Sequence, residues 1–221
     1  MCGRFTLTVD PADLQEAFDL NAPPPAGLMP RYNIAPSQPV AIIANNADRQ
    51  IELFQWGLVP AWAKDPKIGY KMINARGETL AEKPSFRTAL KKRRCLVLAD
   101  GFYEWKREGK SKIPMYIQLK GGQPFAFAGL WEVWKSPKGE WVKTCTIVTT
   151  EPNALMKDIH DRMPVILPPK AYALWLSPEE LPAEKTLPLL KPFTASQMKA
   201  YAVSPLVNNP KFDSKECIVP A

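Results

Sequence analysis

No apolar run in this 221-residue sequence approaches the roughly 20 residues needed to cross a bilayer, and the N-terminus lacks the basic-then-apolar pattern of a signal peptide. The expectation is a cytoplasmic protein with no membrane partner. The four cysteines, Cys2, Cys95, Cys145 and Cys217, include no C-x-x-C pair, so neither a zinc site nor a disulfide framework is indicated; they read as reduced thiols, and no metal or other cofactor is called for. Histidine occurs once, as His160. Glycine is scarce, 11 residues against 24 prolines, which favours rigid turns and strand edges over long helices. No internal repeat or low-complexity linker divides the chain, so residues 1–221 are expected to form one domain, and a monomer.

A surplus of positive charge is present instead. The formal net charge is +7 and the isoelectric point near 9.2. The charge is clustered: Lys83, Arg87, Lys91, Lys92, Arg93 and Arg94 lie in one stretch, and Lys106, Arg107, Lys110 and Lys112 in another. Nucleic-acid phosphates are the commonest polyanion such patches meet. The alternative for the first cluster is a helix end whose cations complement the dipole, and for the second a solvated hairpin tip.

Along the chain, Asp10 before Pro11 reads as the N-cap of a helix with Leu14, Ala17 and Phe18 as its apolar stripe. Asn21 to Pro30 is irregular. Val40 to Ile43 and Ile51 to Trp56 read as a hairpin across Asn45-Asn46-Ala47-Asp48, and Phe86, Ala89 and Leu90 have helical spacing. Strands are expected at Cys95 to Ala99, Gly101 to Trp105, Met115 to Leu119, Phe125 to Val133, Thr144 to Thr150 and near Ala200 to Val203. A short helix is expected from Glu151 to Ile159 and another around Ala171 to Leu176. The fold class that accommodates many short strands and few helices is α+β, a single domain on a curved, mainly antiparallel sheet or barrel.

The chemistry concentrates at the first residues. If Met1 is removed, Cys2 carries an amine and a thiol on adjacent carbons, a pairing that condenses with an aldehyde to an imine and then closes a five-membered thiazolidine. The free amine titrates near ~7.7 to 8.0 and a thiol near ~8.5, so both nucleophiles exist at neutral pH, and Arg4 is expected to push both toward deprotonation. Alternation from Cys2 to Val9 sets Cys2, Arg4, Thr6 and Thr8 on one face and Gly3, Phe5, Leu7 and Val9 on the core. The plain alternative is an ordinary first strand with a half-buried cysteine.

Glu104 sits between Tyr103 and Trp105 in an apolar strand, where burial favours the protonated acid and suits it to moving protons; a core ion pair is the alternative. His160, between Asp158, Asp161 and Arg162, is the one side chain whose ordinary pKa lies near neutrality, and a structural or solvated role is its alternative. Asn74 offers a donor and an acceptor to a sugar hydroxyl, and Arg76 a phosphate contact, although both could cap a local turn.

Seven segments in this order resemble the SRAP (SOS response-associated peptidase) family of abasic site processing proteins. They are Met1-Cys2-Gly3-Arg4-Phe5, Arg31-Tyr32-Asn33-Ile34-Ala35-Pro36, Trp56-Gly57-Leu58-Val59-Pro60, Ile73-Asn74-Ala75-Arg76, Asp100-Gly101-Phe102-Tyr103-Glu104-Trp105, Ile159-His160-Asp161-Arg162-Met163-Pro164 and Val207-Asn208-Asn209. The resemblance implies covalent capture of abasic sites in single-stranded DNA through Cys2, with Asn74, Glu104 and His160 as the other catalytic positions. It implies Arg4, Arg76 and Arg162 as DNA contacts and Trp62 as a stacking wall. Some members carry a second tryptophan just after that position, where this chain has Ala63. An AP-lyase side activity follows from an imine that fails to close. Two other functions remain open from the residues: a cysteine peptidase, acting at most to release Met1, and a non-catalytic single-stranded-DNA-binding module.

Overall fold

The computed structural model describes residues 2–46 and 48–221, so the expected turn residue Ala47 and the retention or removal of Met1 lie outside the described residues. In chain order the strands are β1 (Phe5–Leu7), β2 (Arg31–Ile34), β3 (Pro39–Ala44), β4 (Ile51–Trp56), β5 (Asn74–Arg76), β6 (Arg94–Ala99), β7 (Gly101–Glu108), β8 (Ser111–Leu119), β9 (Phe125–Lys135), β10 (Trp141–Thr150), β11 (Met163–Pro164), β12 (Ile166–Leu167) and β13 (Met198–Ala202). Four short helices flank them, α1 (Pro11–Ala17), α2 (Arg87–Lys92), α3 (Tyr172–Trp175) and α4 (Ala183–Thr186).

Strands β10, β4, β3, β6 and β9 pair in a ring that closes through β9–β10, and all contacts in it are antiparallel except β10–β4. Closure removes sheet edges from the barrel. Strand β5 runs parallel to β10 along its other end, with Asn74 opposite Ile147 and Arg76 opposite Thr149. A second sheet, in the order β13-β8-β7-β1-β2, lies against the barrel. The core between them is aromatic: the Phe5 ring meets Trp56 and Phe127 edge-on, and Phe102 meets Phe127 likewise. This is the α+β, curved-sheet and barrel architecture expected from the residues.

Where the elements depart from the sequence reading, the cause is burial. Strand β1 is only three residues long and both of its faces are covered: Phe5 lies opposite Ile34 and Phe102, while Thr6, expected on a polar face, is fully buried. A buried hydroxyl needs partners, and Thr6 donates to Asp100 Oδ1 at 2.5 Å and contacts the Tyr116 hydroxyl at 3.0 Å. The Asp10 cap of α1 is present, its carboxylate accepting from Ala12 N at 2.8 Å, but Ala17 faces solvent and only Leu14 of the helix is buried. The expected helix from Glu151 to Ile159 is reduced to one 3₁₀ turn, Met156–Asp158, because Asn153 caps Met156 N and anchors its own amide on Phe193 O.

The first basic cluster also divides. Lys91 and Lys92 do end α2, but Arg94 begins β6, is fully buried and donates to the carbonyls of Leu90, Lys91, Trp175, Ser177 and Glu179. It ties the end of α2 to the segment after α3 and is out of reach of any phosphate.

Asp100, between β6 and β7, is the tether of the N-terminal strand. Its two oxygens accept from Thr6 Oγ1, Thr8 N, Thr8 Oγ1 and Val9 N. Asp100→Ala strands these donors, several of them out of water, and is expected to lower the unfolding free energy by about 2 to 4 kcal/mol, read as a lower urea midpoint at unchanged slope. A midpoint within error of the parent would show that water replaces the carboxylate freely.

Candidate active site

Four segments far apart in sequence meet at the start of the chain. Tyr103 N donates to Arg4 O at 2.9 Å, which lays β7 along the residues before β1 and brings Glu104 to Cys2. Asn74, at the head of β5, donates its amide to Cys2 O at 2.7 Å. His160 follows the 3₁₀ turn, and its Nε2 stands 3.9 Å from Glu104 Oε2. Cys2, Asn74, Glu104 and His160 are therefore brought together.

Their electrostatics are set by burial. Cys2 has no exposed surface; loss of water, with the Glu104 carboxylate second, holds its thiol far above the ordinary range. The Arg4 charge does not offset this, contrary to the expectation that it would favour deprotonation, because the contact is made through the Arg4 carbonyl, 3.7 Å from Sγ. The guanidinium points elsewhere, its Nη1 donating at 2.7 Å to both Asn33 Oδ1 and Val207 O.

Glu104 is 2 % exposed, and desolvation raises its carboxyl from the usual acidic range to about 7. Desolvation likewise lowers His160. Around His160 Nδ1 two contacts compete: Arg162 N–H donates to it at 3.0 Å, and Asp161 Oδ1 lies 2.8 Å away. Asp161 is largely solvated, so the fixed backbone donor is the stronger determinant and favours the neutral tautomer with its proton on Nε2, facing Glu104. Asn74 Oδ1 is buried without a hydrogen-bond partner among the described residues, an acceptor beside Cys2.

The residues expected to contact DNA fall in different settings. Arg76 is exposed, beside Thr149 at the end of β10. Arg162 forms a two-pronged pair with Glu78, at 2.7 and 2.9 Å, and donates to Thr149 O. Both terminal nitrogens of its guanidinium are thereby engaged, and Glu78 is held below the ordinary carboxylate range by it. Trp62 is 61 % exposed in the turn after β4.

The sequence reading missed the other wall. A cavity of about 370 Å³ beside the site is lined by Glu104, Trp105, Arg107, Lys112, His160 and Asn208, and Trp105 Nε1 donates to Asn208 Oδ1 at 2.7 Å. Alternation along β7 sends Glu104 and Trp105 to opposite faces, so neither Trp105's share in this cavity nor the approach of Asn208 follows from the sequence pattern.

A closed barrel carrying a second sheet thus holds the buried Cys2 beside the Asn74, Glu104 and His160 side chains. The family model described as SOS response associated peptidase (SRAP) matches residues 1–210, and the chain belongs to that family. It is 53% identical over 221 residues to abasic site processing protein YoqW of Bacillus subtilis (strain 168), covering 99% of each chain. It is 32% identical over 262 residues to abasic site processing protein HMCES of Xenopus tropicalis, covering 99% of this chain and 78% of that one. A crystal structure of a Bacteroides thetaiotaomicron protein superposes with a TM-score of 0.90 at 30% identity over the whole of both chains.

Because the Glu104 value is raised in the folded state, the folded protein keeps a proton that the unfolded chain releases. Its contribution to stability is complete below the ordinary carboxylate range and is lost as pH rises through about 7. Glu104→Gln lacks this slope, so its stability relative to the parent is expected to rise between about pH 5 and about pH 8 in urea titrations. A difference that does not change with pH would show that the carboxylate is not destabilised by burial.

Proposed function

We propose that this protein captures abasic sites in single-stranded DNA, forming a thiazolidine crosslink through Cys2 once Met1 has been removed, as part of the response to DNA damage. The observation that carries this reading is the convergence on Cys2 of the Asn74 amide and of the facing Glu104 and His160 side chains. The names of the relatives, abasic site processing proteins, support the same lesion.

An abasic deoxyribose is mainly a closed hemiacetal. His160, in its protonated form, gives its Nε2 proton to the ring oxygen as the ring opens, while the C1′ hydroxyl passes its proton to the Glu104 carboxylate to form the aldehyde, and Glu104 hands that proton on to His160, which restores both groups. Asn74 holds the sugar through the amide oxygen that has no partner among the described residues. The Cys2 amine then adds to C1′ with Glu104 taking its proton, and the same carboxyl returns a proton as water leaves to give the imine. A carboxyl near pH 7 suits both halves of that exchange. The Cys2 sulfur finally bonds to the imine carbon while the thiol proton passes to the nitrogen, closing the ring.

The raised thiol orders these steps, since a protonated sulfur leaves the amine as first nucleophile. The same property weighs against a cysteine peptidase, which needs a thiolate beside an imidazole: here His160 faces Glu104. If the imine does not close, the neighbouring carbon loses a proton and the 3′ phosphate departs, the proposed lyase side activity.

Glu104→Gln and His160→Ala are expected to slow single-turnover crosslinking by roughly 10² to 10⁴ without abolishing it, since the nucleophile survives. Unchanged rates near neutral pH would return both residues to a structural role. The chemistry itself is tested on denaturing gels with a single-stranded abasic oligonucleotide, with and without borohydride. Processed protein should give a heat-stable crosslink, and processed Cys2→Ala only a borohydride-trapped imine and some strand cleavage. Protein retaining Met1 should give neither, and a full stable crosslink from it would overturn the mechanism.

A further inference from the structure

Resting on that reading, we propose that Arg107 and Lys112 form a subsite for a DNA phosphate on the far side of the reacting sugar from Arg76. The two residues are direct register partners across the β7–β8 hairpin, Arg107 opposite Lys112. Like charges placed opposite each other in a sheet destabilise it, so the pair costs stability that the fold does not require. The neighbouring cation resolves its own charge within the strand, Lys106 pairing with Glu108 at 3.1 Å. Arg107 and Lys112 instead both line the 370 Å³ cavity that Glu104 and His160 share. An adjoining cavity of about 510 Å³ continues past Arg107 to Lys157 and His160.

The strand's own covalent structure requires such a place. Every internal sugar carries a phosphate on each side. With the sugar at Cys2 and one phosphate toward Arg76 at the end of β10, the cavities beside Glu104 and His160 offer the other its way out. That wall also carries Asp158 and Asp161. An uncompensated phosphate there would meet three carboxyl groups, and Arg107, Lys112 and Lys157 are the cations that offset them. Arg107 supplies a planar fork and Lys112 a point charge, a combination that holds a phosphate without reading a base. Arg107 is also among the charges that disfavour protonation of His160. A phosphate seated on it would cancel that influence and strengthen the histidine's hold on the proton it must deliver.

Two measurements on the Arg107→Gln/Lys112→Gln double variant decide the matter. In equilibrium binding to an undamaged single strand, the slope of log affinity against log salt should be shallower than the parent's by about 0.7, one phosphate's worth. An unchanged slope overturns the subsite, and this arm stands even if the parent forms no crosslink, the result that would defeat the proposed function instead. In single-turnover crosslinking, abasic oligonucleotides carry an uncharged methylphosphonate on one or the other side of the lesion. The parent should lose roughly tenfold or more at either linkage. The double variant should show no further loss at one linkage and the full loss at the other, with Arg76→Gln giving the reverse pattern. Undiminished losses at both linkages in the double variant would place its cations away from the lesion and overturn the proposal.

Discussion

The arrangement depends on one buried carboxylate. Asp100 is 3 % exposed and sits where the barrel strand β6 hands over to β7 of the second sheet, and its oxygens are satisfied by donors from Thr6, Thr8 and Val9. A charge so placed is tolerable only when its partners are held, so it fixes β1 against β7 with a strength that three residues of strand could not supply. Everything upstream inherits that position: the Tyr103 to Arg4 bond, the burial of Cys2 and the distance from Glu104 to the chain's first residues. A second set of bonds closes the other side. Asn33 donates to carbonyls of the 207–212 segment, and Asp213 accepts from Arg31 and from the Tyr32 and Asn33 amides.

Within this frame one effect, desolvation, is put to opposite uses. It raises Glu104 to about 7, where a carboxyl both gives and takes protons, and it suppresses ionisation of the Cys2 thiol. Arg94 is also withdrawn from water, but its donors reach five carbonyls, and it serves the fold alone. The contrast shows why charge by itself is a poor guide to function in a basic chain: the partner decides. Arg162 is intermediate, anchored by Glu78 yet partly exposed beside Thr149, the register partner of Arg76.

Much of the fold was legible because its signals are local. The Asp10 cap with Pro11, the β3–β4 hairpin and the long strands β7 to β10 follow from side-chain alternation, turn residues and capping chemistry. What failed was long-range: Thr6 reads as a surface residue until Asp100 and Tyr116 cover it, and Arg94 reads as part of a basic patch until the Ser177 and Glu179 carbonyls reach it. Cys2, Glu104 and His160 stood out in the sequence as chemistry out of place, an amine beside a thiol, a carboxyl in an apolar strand and a lone imidazole, and the fold brings them together. The Arg107 and Lys112 pairing was not, since only hairpin register puts the two cations opposite each other.

The contacts around Cys2 also impose an order in time. Its segment is made before the partners it needs: Asn74, Glu104, His160 and the Val207 carbonyl that anchors Arg4 follow roughly 70 to 200 residues later. At typical synthesis rates of about 5 to 20 residues per second, that is a delay of several seconds or more in which β1 has β2 to pair with but Cys2 lacks the side chains that enclose it. The sheet that encloses Cys2 is therefore completed only after most of the chain has been made.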